Sequence, residues 1–238
     1  MIAAGPHVEP AGATVPDDVR LVRLDLDLSV PLADPLFDVL SGAERDAASR
    51  FHRHADAVRS AATRAALRRL LGAELGEAPG ALRFACSERG RPSLAGGRAG
   101  IDFNVSHGGD HALIAWSRRR RVGVDVEPRR AGRDWGPLAR MVLGAEDARR
   151  IAEAPDGAAR DARFLDVWTA KEALLKAEGS GIADGIAGFS VLSADARSPR
   201  VGGDGAMAAR LAGFAAAWLR AIPGHAACLA WEAAASSA

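Results

Sequence analysis

The chain has 238 residues, 48% of them apolar but only 5% aromatic, with no tyrosine. That length accommodates one large domain or two small ones, and a sizeable core can be filled mainly by Ala and Leu. Lys and Arg number 31 against 30 Asp and Glu, a net charge of +1; this leaves no whole-molecule attraction for nucleic acid or an anionic membrane, so an anion site has to be built locally.

Residues 1–17 are rich in Ala, Gly and Pro and read as a flexible tail, without the basic-then-apolar order of a secretory signal. No apolar run approaches the ~20 residues of a membrane helix, so a cytoplasmic protein without a membrane partner is expected. Leu21 to Leu28 alternates apolar and polar residues, the period of a half-buried strand. Ser41 followed by Glu44 forms a capping-box pattern that opens a helix through about Phe51. A longer helical pattern runs from Ala55 to Leu75, with Val58, Ala62, Ala65, Ala66, Leu70 and Leu71 on one face and Arg59, Arg64, Arg68 and Arg69 on others. Gly76 and Pro79 end it.

Short strands are expected over Leu82–Ala85, Ile101–Val105 and Ala112–Trp116, and again over Val122–Glu127 after the Arg118–Arg121 run, which reads as a solvated hairpin turn. Helices follow near Leu138–Leu143, from Gly144 to Ala154, and from Asp161 to Ala177, where Gly179-Ser-Gly181 stops the pattern. Strands over Ala215–Ile222 and Ala226–Trp231 close the chain. Cys86 and Cys228 lie far apart, outside any metal-ligand spacing, and read as two buried, reduced thiols.

His111-Ala-Leu-Ile-Ala-Trp116 is echoed by His225-Ala-Ala-Cys-Leu-Ala-Trp231, and each closes a stretch holding a long helix followed by strands. The expected fold is therefore α+β: two similar α/β halves, 18–117 and 118–238, related by a pseudo-two-fold axis with the site in the cleft between them.

Three segments carry polar groups suited to chemistry. Asp125 and Glu127 stand two apart on a strand, so both carboxylates share one face while Val124 and Val126 take the other. Two such acids are either solvated on an exposed face or share a cation, and hard oxygen ligands in this arrangement suit Mg²⁺. In Trp168-Thr-Ala-Lys-Glu-Ala-Leu-Leu-Lys176, residues 168, 172 and 176 form one helical stripe; Glu172 and Lys176 are a surface pair or a third ligand with its neighbouring cation. Asp102-Phe-Asn-Val-Ser-His107-Gly-Gly runs a strand into a small-residue loop offering a hydroxyl and an imidazole to a phosphate.

In this order and spacing, Asn104-Val-Ser-His107, Gly123-Val-Asp-Val-Glu127 and Trp168 to Lys176 resemble the Sfp-type phosphopantetheinyl transferases. The resemblance extends from about Ser41 to Gly181, with Gly90-Arg-Pro92 similar to the family's Gly-Lys-Pro. It implies transfer of the 4'-phosphopantetheine arm of coenzyme A to a serine of an acyl or peptidyl carrier protein, releasing adenosine 3',5'-bisphosphate.

By that resemblance Asp125, Glu127 and Glu172 hold Mg²⁺ on the pyrophosphate, with Lys171 and Lys176 balancing charge. Lys176 is the candidate for protonating the leaving phosphate, and Glu172, Glu127 or a metal-bound water would take the serine proton. His107 with Ser106, Arg59 and Arg45 would hold the 3'-phosphate, while Gly90, Arg91 and Pro92 border the adenine. An apolar groove near Leu138–Leu143 would suit a carrier helix, and a cleft complete in one chain makes a monomer the expectation.

Two departures from the family pattern bear on phosphate contacts: Glu44 and Ala47 stand where lysines are common, and Arg91 replaces a lysine. Two other readings use the same residues: a different Mg²⁺-dependent phosphotransferase or pyrophosphatase, and a non-catalytic module binding coenzyme A or a carrier protein.

Overall fold

A computed structural model describes residues 2–4, 10–11, 14–96, 100–130, 134–181, 185–192 and 198–234. Two four-stranded antiparallel sheets and two long helices carry the mixed α/β fold. The first sheet has strand order β1-β3-β7-β6: β1 (Ile2–Ala4), β3 (Val19–Leu26), β7 (His111–Ser117) and β6 (Asp102–Gly108). The second has order β2-β9-β10-β8: β2 (Pro10–Ala11), β9 (Phe214–Leu219), β10 (His225–Glu232) and β8 (Val122–Pro128). Two stretches of the segment read as a loose tail are thus paired, β1 on β3 and β2 on β9. A small β4–β5 hairpin (Phe84–Cys86, Pro92–Leu94) stands apart.

Each sheet carries one 22-residue helix, α2 (His54–Leu75) on the first and α5 (Gly157–Glu178) on the second. Three apolar layers result. Val58, Ala65, Leu67 and Leu71 of α2 pack with Phe103 and Ile114; Val167, Leu174 and Leu175 of α5 pack with Trp218 and Cys228. Between the sheets lie Leu113, Val122, Val124, Val126, Leu229 and Trp231.

Local rules explain the element ends. Ser41 and Glu44 form a complete capping box ahead of α1 (Gly42–Ser49). Gly76 and Gly179 adopt left-handed conformations that end α2 and α5. The region after β8 holds α3 (Gly136–Val142) and α4 (Ala145–Ala152), and α6 (Ala206–Leu211) precedes β9. Among the described residues no helix is long and apolar enough to cross a membrane.

Several expectations are corrected. Arg118–Arg121 is no hairpin turn, because β7 and β8 belong to different sheets. Arg118 holds Glu74 at 2.7 Å, Arg120 holds Asp18 at 2.9 Å, and Arg121 donates to the carbonyls of Ala177 and Glu178, which close α5. Arg68 is buried, not on an outer face: it donates to Glu44 at 2.8 Å and to the Pro79 and Leu82 carbonyls. Cys86 is exposed, whereas Cys228 is fully buried.

Candidate active site

Strands β6 and β8 are edges of different sheets, and side chains join them. Asp102, Asn104 and Ser106 point the same way along β6 and accept the backbone N–H groups of Val122, Val124 and Val126 at 2.8, 3.1 and 3.3 Å. Alternate polar residues on β6 therefore satisfy donors that β8 would otherwise leave unpaired. This ladder sets the height of Asp125 relative to Ser106 and His107, which lie on β6 and not on the loop expected there.

On β8 the expected alternation holds. Val122, Val124 and Val126 are buried between the sheets, and the intervening residues face α5. Gly123 makes the close approach possible, since a Cβ there would lie 2.1 Å from the Ala173 carbonyl oxygen and 2.5 Å from the Ala177 nitrogen. With the helix seated this low, Trp168, Glu172 and Lys176, one turn apart from each other, meet the acids of the strand.

The result is a hollow of about 290 Å³ lined by Val105, Ser106, His107, Asp125, Glu127, Trp168, Glu172 and Lys176. Lys176 Nζ lies 2.7 Å from Asp125 Oδ1, 3.3 Å from the Val124 carbonyl and 4.0 Å from Glu172 Oε2. Ser106 Oγ donates to Asp125 Oδ1 at 2.9 Å, and the Trp168 indole donates to Glu127 Oε1 at 3.4 Å.

The electrostatics of this cluster are those of an anion excess. Burial raises the Glu172 pKa to about 7, with Lys176 opposing and Asp125 and Glu127 adding to the rise. Burial works to lower the Lys176 pKa, but Asp125, with Glu172 and Glu127, outweighs it and holds the ammonium above its ordinary range. His107 reaches solvent at the rim; desolvation by the cleft walls, then the charges of Arg59 and Lys176, lower its pKa.

Two buried carboxylate oxygens, Asp125 Oδ2 and Glu172 Oε1, have no hydrogen-bond partner among the described residues. Orphaned hard oxygens beside a second acid fit a hard divalent cation that keeps several of its waters. The three carboxylates are nevertheless spread. Among the described residues the three-ligand group whose donor atoms all lie within 4.8 Å of one another is Asp110, His111 and His225.

The remaining expected site residues are placed unevenly. Arg59 reaches the turn after His107, donating to the Gly109 carbonyl at 2.6 Å while paired with Asp56. Arg45 instead lines a separate hollow with Phe37, Leu40 and Ala61, and sits 3.6 Å from Asp38. Gly90 turns the β4–β5 hairpin at φ 78°, Pro92 opens β5, and Arg91 donates to Asp102 at 2.6 Å and to the Val122 carbonyl at 3.1 Å. Arg91 thus stands at the first rung of the ladder, and none of the three lines the hollow.

Lys171 is a correction. Its ammonium points away from the acids and is fully buried, donating to the carbonyls of Val142 at 2.7 Å and Ile186 at 3.0 Å and to that of Phe189. Asp147, also fully buried, lies 3.0 Å away and accepts the Val191 and Leu192 N–H groups. One residue along a helix turns a side chain by about 100°, so neighbours of Glu172 cannot share its face. Burial lowers the Lys171 pKa against the pull of Asp147. Glu44, at a position where a lysine is common in the resembling family, is here the partner of Arg68 at 2.8 Å.

Sequence reasoning missed the strut role of Ser106 and the rungs Asp102 and Asn104. The signal was present as three polar residues at period two, but it lies on β6 while the groups it serves lie on β8.

Comparison with known proteins identifies the family. Residues 121–227 match the family model described as the 4'-phosphopantetheinyl transferase superfamily, and residues 34–119 match that of the 4'-phosphopantetheinyl transferase N-terminal region. The chain is 36% identical over 169 residues to the 4'-phosphopantetheinyl transferase HetI of Nostoc sp., covering 70% of this chain and 71% of that one. It is 34% identical to a putative 4'-phosphopantetheinyl transferase of Synechocystis sp. (66% and 63% covered) and 27% identical to the 4'-phosphopantetheinyl transferase ffp of Bacillus subtilis (71% and 74%).

Proposed function

The chain belongs to the 4'-phosphopantetheinyl transferase superfamily, and from that premise we propose that it moves the phosphopantetheine arm of coenzyme A onto a serine of an acyl or peptidyl carrier protein. The observation that carries the proposal is the cleft in which Asp125, Glu127 and Glu172 face Lys176 across one hollow, with His107 at its rim. Such a site neutralises and orients a pyrophosphate, which is most of what phosphoryl-type transfer asks of a protein.

Asp125, Glu127 and Glu172 would hold Mg²⁺, and the two orphaned oxygens supply hard ligands for it. When bound, the ion would neutralise pyrophosphate charge. Lys176 then stands where it can give a proton to the leaving phosphate, while Glu172 and Glu127 are the acids placed to accept the serine proton. His107 and Arg59 present positive or hydrogen-bonding groups at the rim for the 3'-phosphate of coenzyme A. Arg91, between Gly90 and Pro92, holds the opposite end of β6 and β8, at Asp102 and Val122, and would border the adenine. Ser106 acts mainly through Asp125, which it orients.

The shared three-strand order β3-β7-β6 and β8-β10-β9, the central placement of the echoed strands β7 and β10, and the one long helix per sheet support two related halves, 18–117 and 118–238. Their pseudo-two-fold relation would put the cleft at β6 and β8, complete within one cytoplasmic monomer. Met141 on α3 is 68% exposed, an apolar contact of the kind a carrier helix would cover.

The test is direct. The protein is incubated with coenzyme A, Mg²⁺ and a panel of apo carrier proteins, and each carrier is weighed by mass spectrometry for the pantetheine increment. Cleavage of coenzyme A without any carrier labelling would point to a pyrophosphatase. Binding without turnover would point to a non-catalytic module, and either result would overturn the proposal.

A further inference from the structure

Behind the rim residue His107, the β6–β7 turn meets the start of β10. Asp110 Oδ1 lies 3.6 Å from His111 Nε2 and 3.9 Å from His225 Nε2, and the two imidazoles meet edge-on with ring centroids 4.6 Å apart. Neither distance to Asp110 is a hydrogen bond.

Both rings are oriented from behind. His225 Nδ1 is 2.7 Å from the Pro223 carbonyl, which can only accept, so Nδ1 is the donor and in the neutral ring Nε2 carries the lone pair. His111 Nδ1 is 2.9 Å from Asp25 Oδ1, and Asp25 is itself gripped by Arg23 at 3.0 and 3.1 Å. A carbonyl or carboxylate behind each imidazole is the arrangement that metal-ligating histidines use to fix their tautomer. The His225 side chain is only 7% exposed, and its Nε2 is buried with no hydrogen-bond partner among the described residues.

We propose that Asp110, His111 and His225 form a second metal site, separate from the three carboxylates, that takes a zinc-class transition ion through two imidazole nitrogens and one carboxylate. Imidazole suits Zn²⁺ and its neighbours and does not suit Mg²⁺, so the two sites select different ions. Zinc–ligand bonds of about 2.0–2.1 Å in a tetrahedron place ligand atoms roughly 3.3 Å apart. The observed separations, all within 4.8 Å, need a modest contraction. Asp110 is exposed and follows Gly109 at φ 58°, so its side chain can turn inward, and a fourth position stays open for water.

The ion would tie the two sheets together. His111 opens β7 of the first sheet and His225 opens β10 of the second. Arg59 holds the same turn through Gly109. The clip would therefore brace the β6–β7 turn beside His107, and its existence does not depend on the reaction assigned to the cleft.

Tag-free protein stripped with a chelator is titrated with Zn²⁺ in excess Mg²⁺, and with Co²⁺ for its visible absorption. The expected result is one equivalent of Zn²⁺ bound, an imidazole-type Co²⁺ spectrum and a higher Tm. Asp110→Asn and His225→Gln should each abolish the tight equivalent, and Asp25→Asn should weaken it by roughly 10–100-fold through the His111 ring. No tight equivalent in the wild type overturns the proposal. So does wild-type affinity in Asp110→Asn, an exposed position whose change leaves the fold intact, whatever becomes of His225→Gln.

Discussion

Lys176 Nζ stands 2.7 Å from Asp125 Oδ1 and 4.0 Å from Glu172 Oε2, so one ammonium answers two of the three acids in the cleft. It lowers the charge a metal would see and offers a cation to the substrate at once. Lys176→Met should therefore cut the rate of carrier modification by about 10²–10³-fold, the range for losing one charge-stabilising group. Apparent Mg²⁺ affinity should hold or tighten, because a competing cation has left. A Mg²⁺ titration of holo-carrier formation reads both; weaker Mg²⁺ binding in the variant would contradict the assignment.

Ser106 separates two roles that sequence alone merges. Its hydroxyl donates to Asp125 and accepts from the Val126 N–H. Ser106→Ala should raise the Mg²⁺ requirement by roughly tenfold, as expected for a lost hydrogen bond to a charged group. Discrimination between coenzyme A and dephospho-coenzyme A should stay unchanged, whereas Arg59→Ala should narrow it. A Ser106→Ala enzyme that loses that discrimination would return the hydroxyl to the 3'-phosphate.

Glu172 makes metal-free stability depend on pH. Its folded pKa of about 7 lies above the ordinary 4.5, so the folded state holds this proton more tightly than the unfolded chain. The contribution is full below pH 4.5 and is lost as pH rises through about 7; at most it amounts to about 3 kcal/mol. Thermal melts in chelator at pH 5 and pH 8 should show the loss in the wild type and a smaller one in Glu172→Gln. Equal pH dependence in the two proteins would refute it.

Lys171 should behave as a structural residue. Lys171→Met leaves Asp147 buried without its cation, a defect that typically costs about 3–5 kcal/mol. The melting temperature should fall sharply while the KM for coenzyme A of the folded enzyme stays put. Pairing it with Asp147→Leu should restore part of the loss. A raised KM at unchanged stability would put the ammonium back at the substrate.

Much of this was legible in the chain. Period-two spacing put Asp125 and Glu127 on one face, and i, i+4 spacing put Glu172 under Lys176, because those rules depend only on local geometry. Helix α1 was visible from Ser41 and Glu44 for the same reason. What stayed hidden was set by distant packing. Whether Lys171 looked into the cleft depended on Val142, Ile186 and Phe189 arriving behind α5. Whether Arg118–Arg121 made a hairpin depended on which sheet β8 joined. The pairing of Pro10–Ala11 with β9 spans some two hundred residues and leaves no local trace.

The Asp102–Asn104–Ser106 ladder also admits one alignment only. Sliding β6 two residues one way would set Ser106 against Pro128, which has no N–H to give. Sliding it the other way would set Gly108, which has no side chain, against Val126. Either slip leaves two rungs where the native docking makes three. A chain arrested in such a slip could keep both sheets, both helices and most of its buried surface, yet hold Asp125 at the wrong height beside Ser106. Loss of activity with helix content intact would then be the signature of a docking error, and refolding yield should be scored by turnover rather than by circular dichroism.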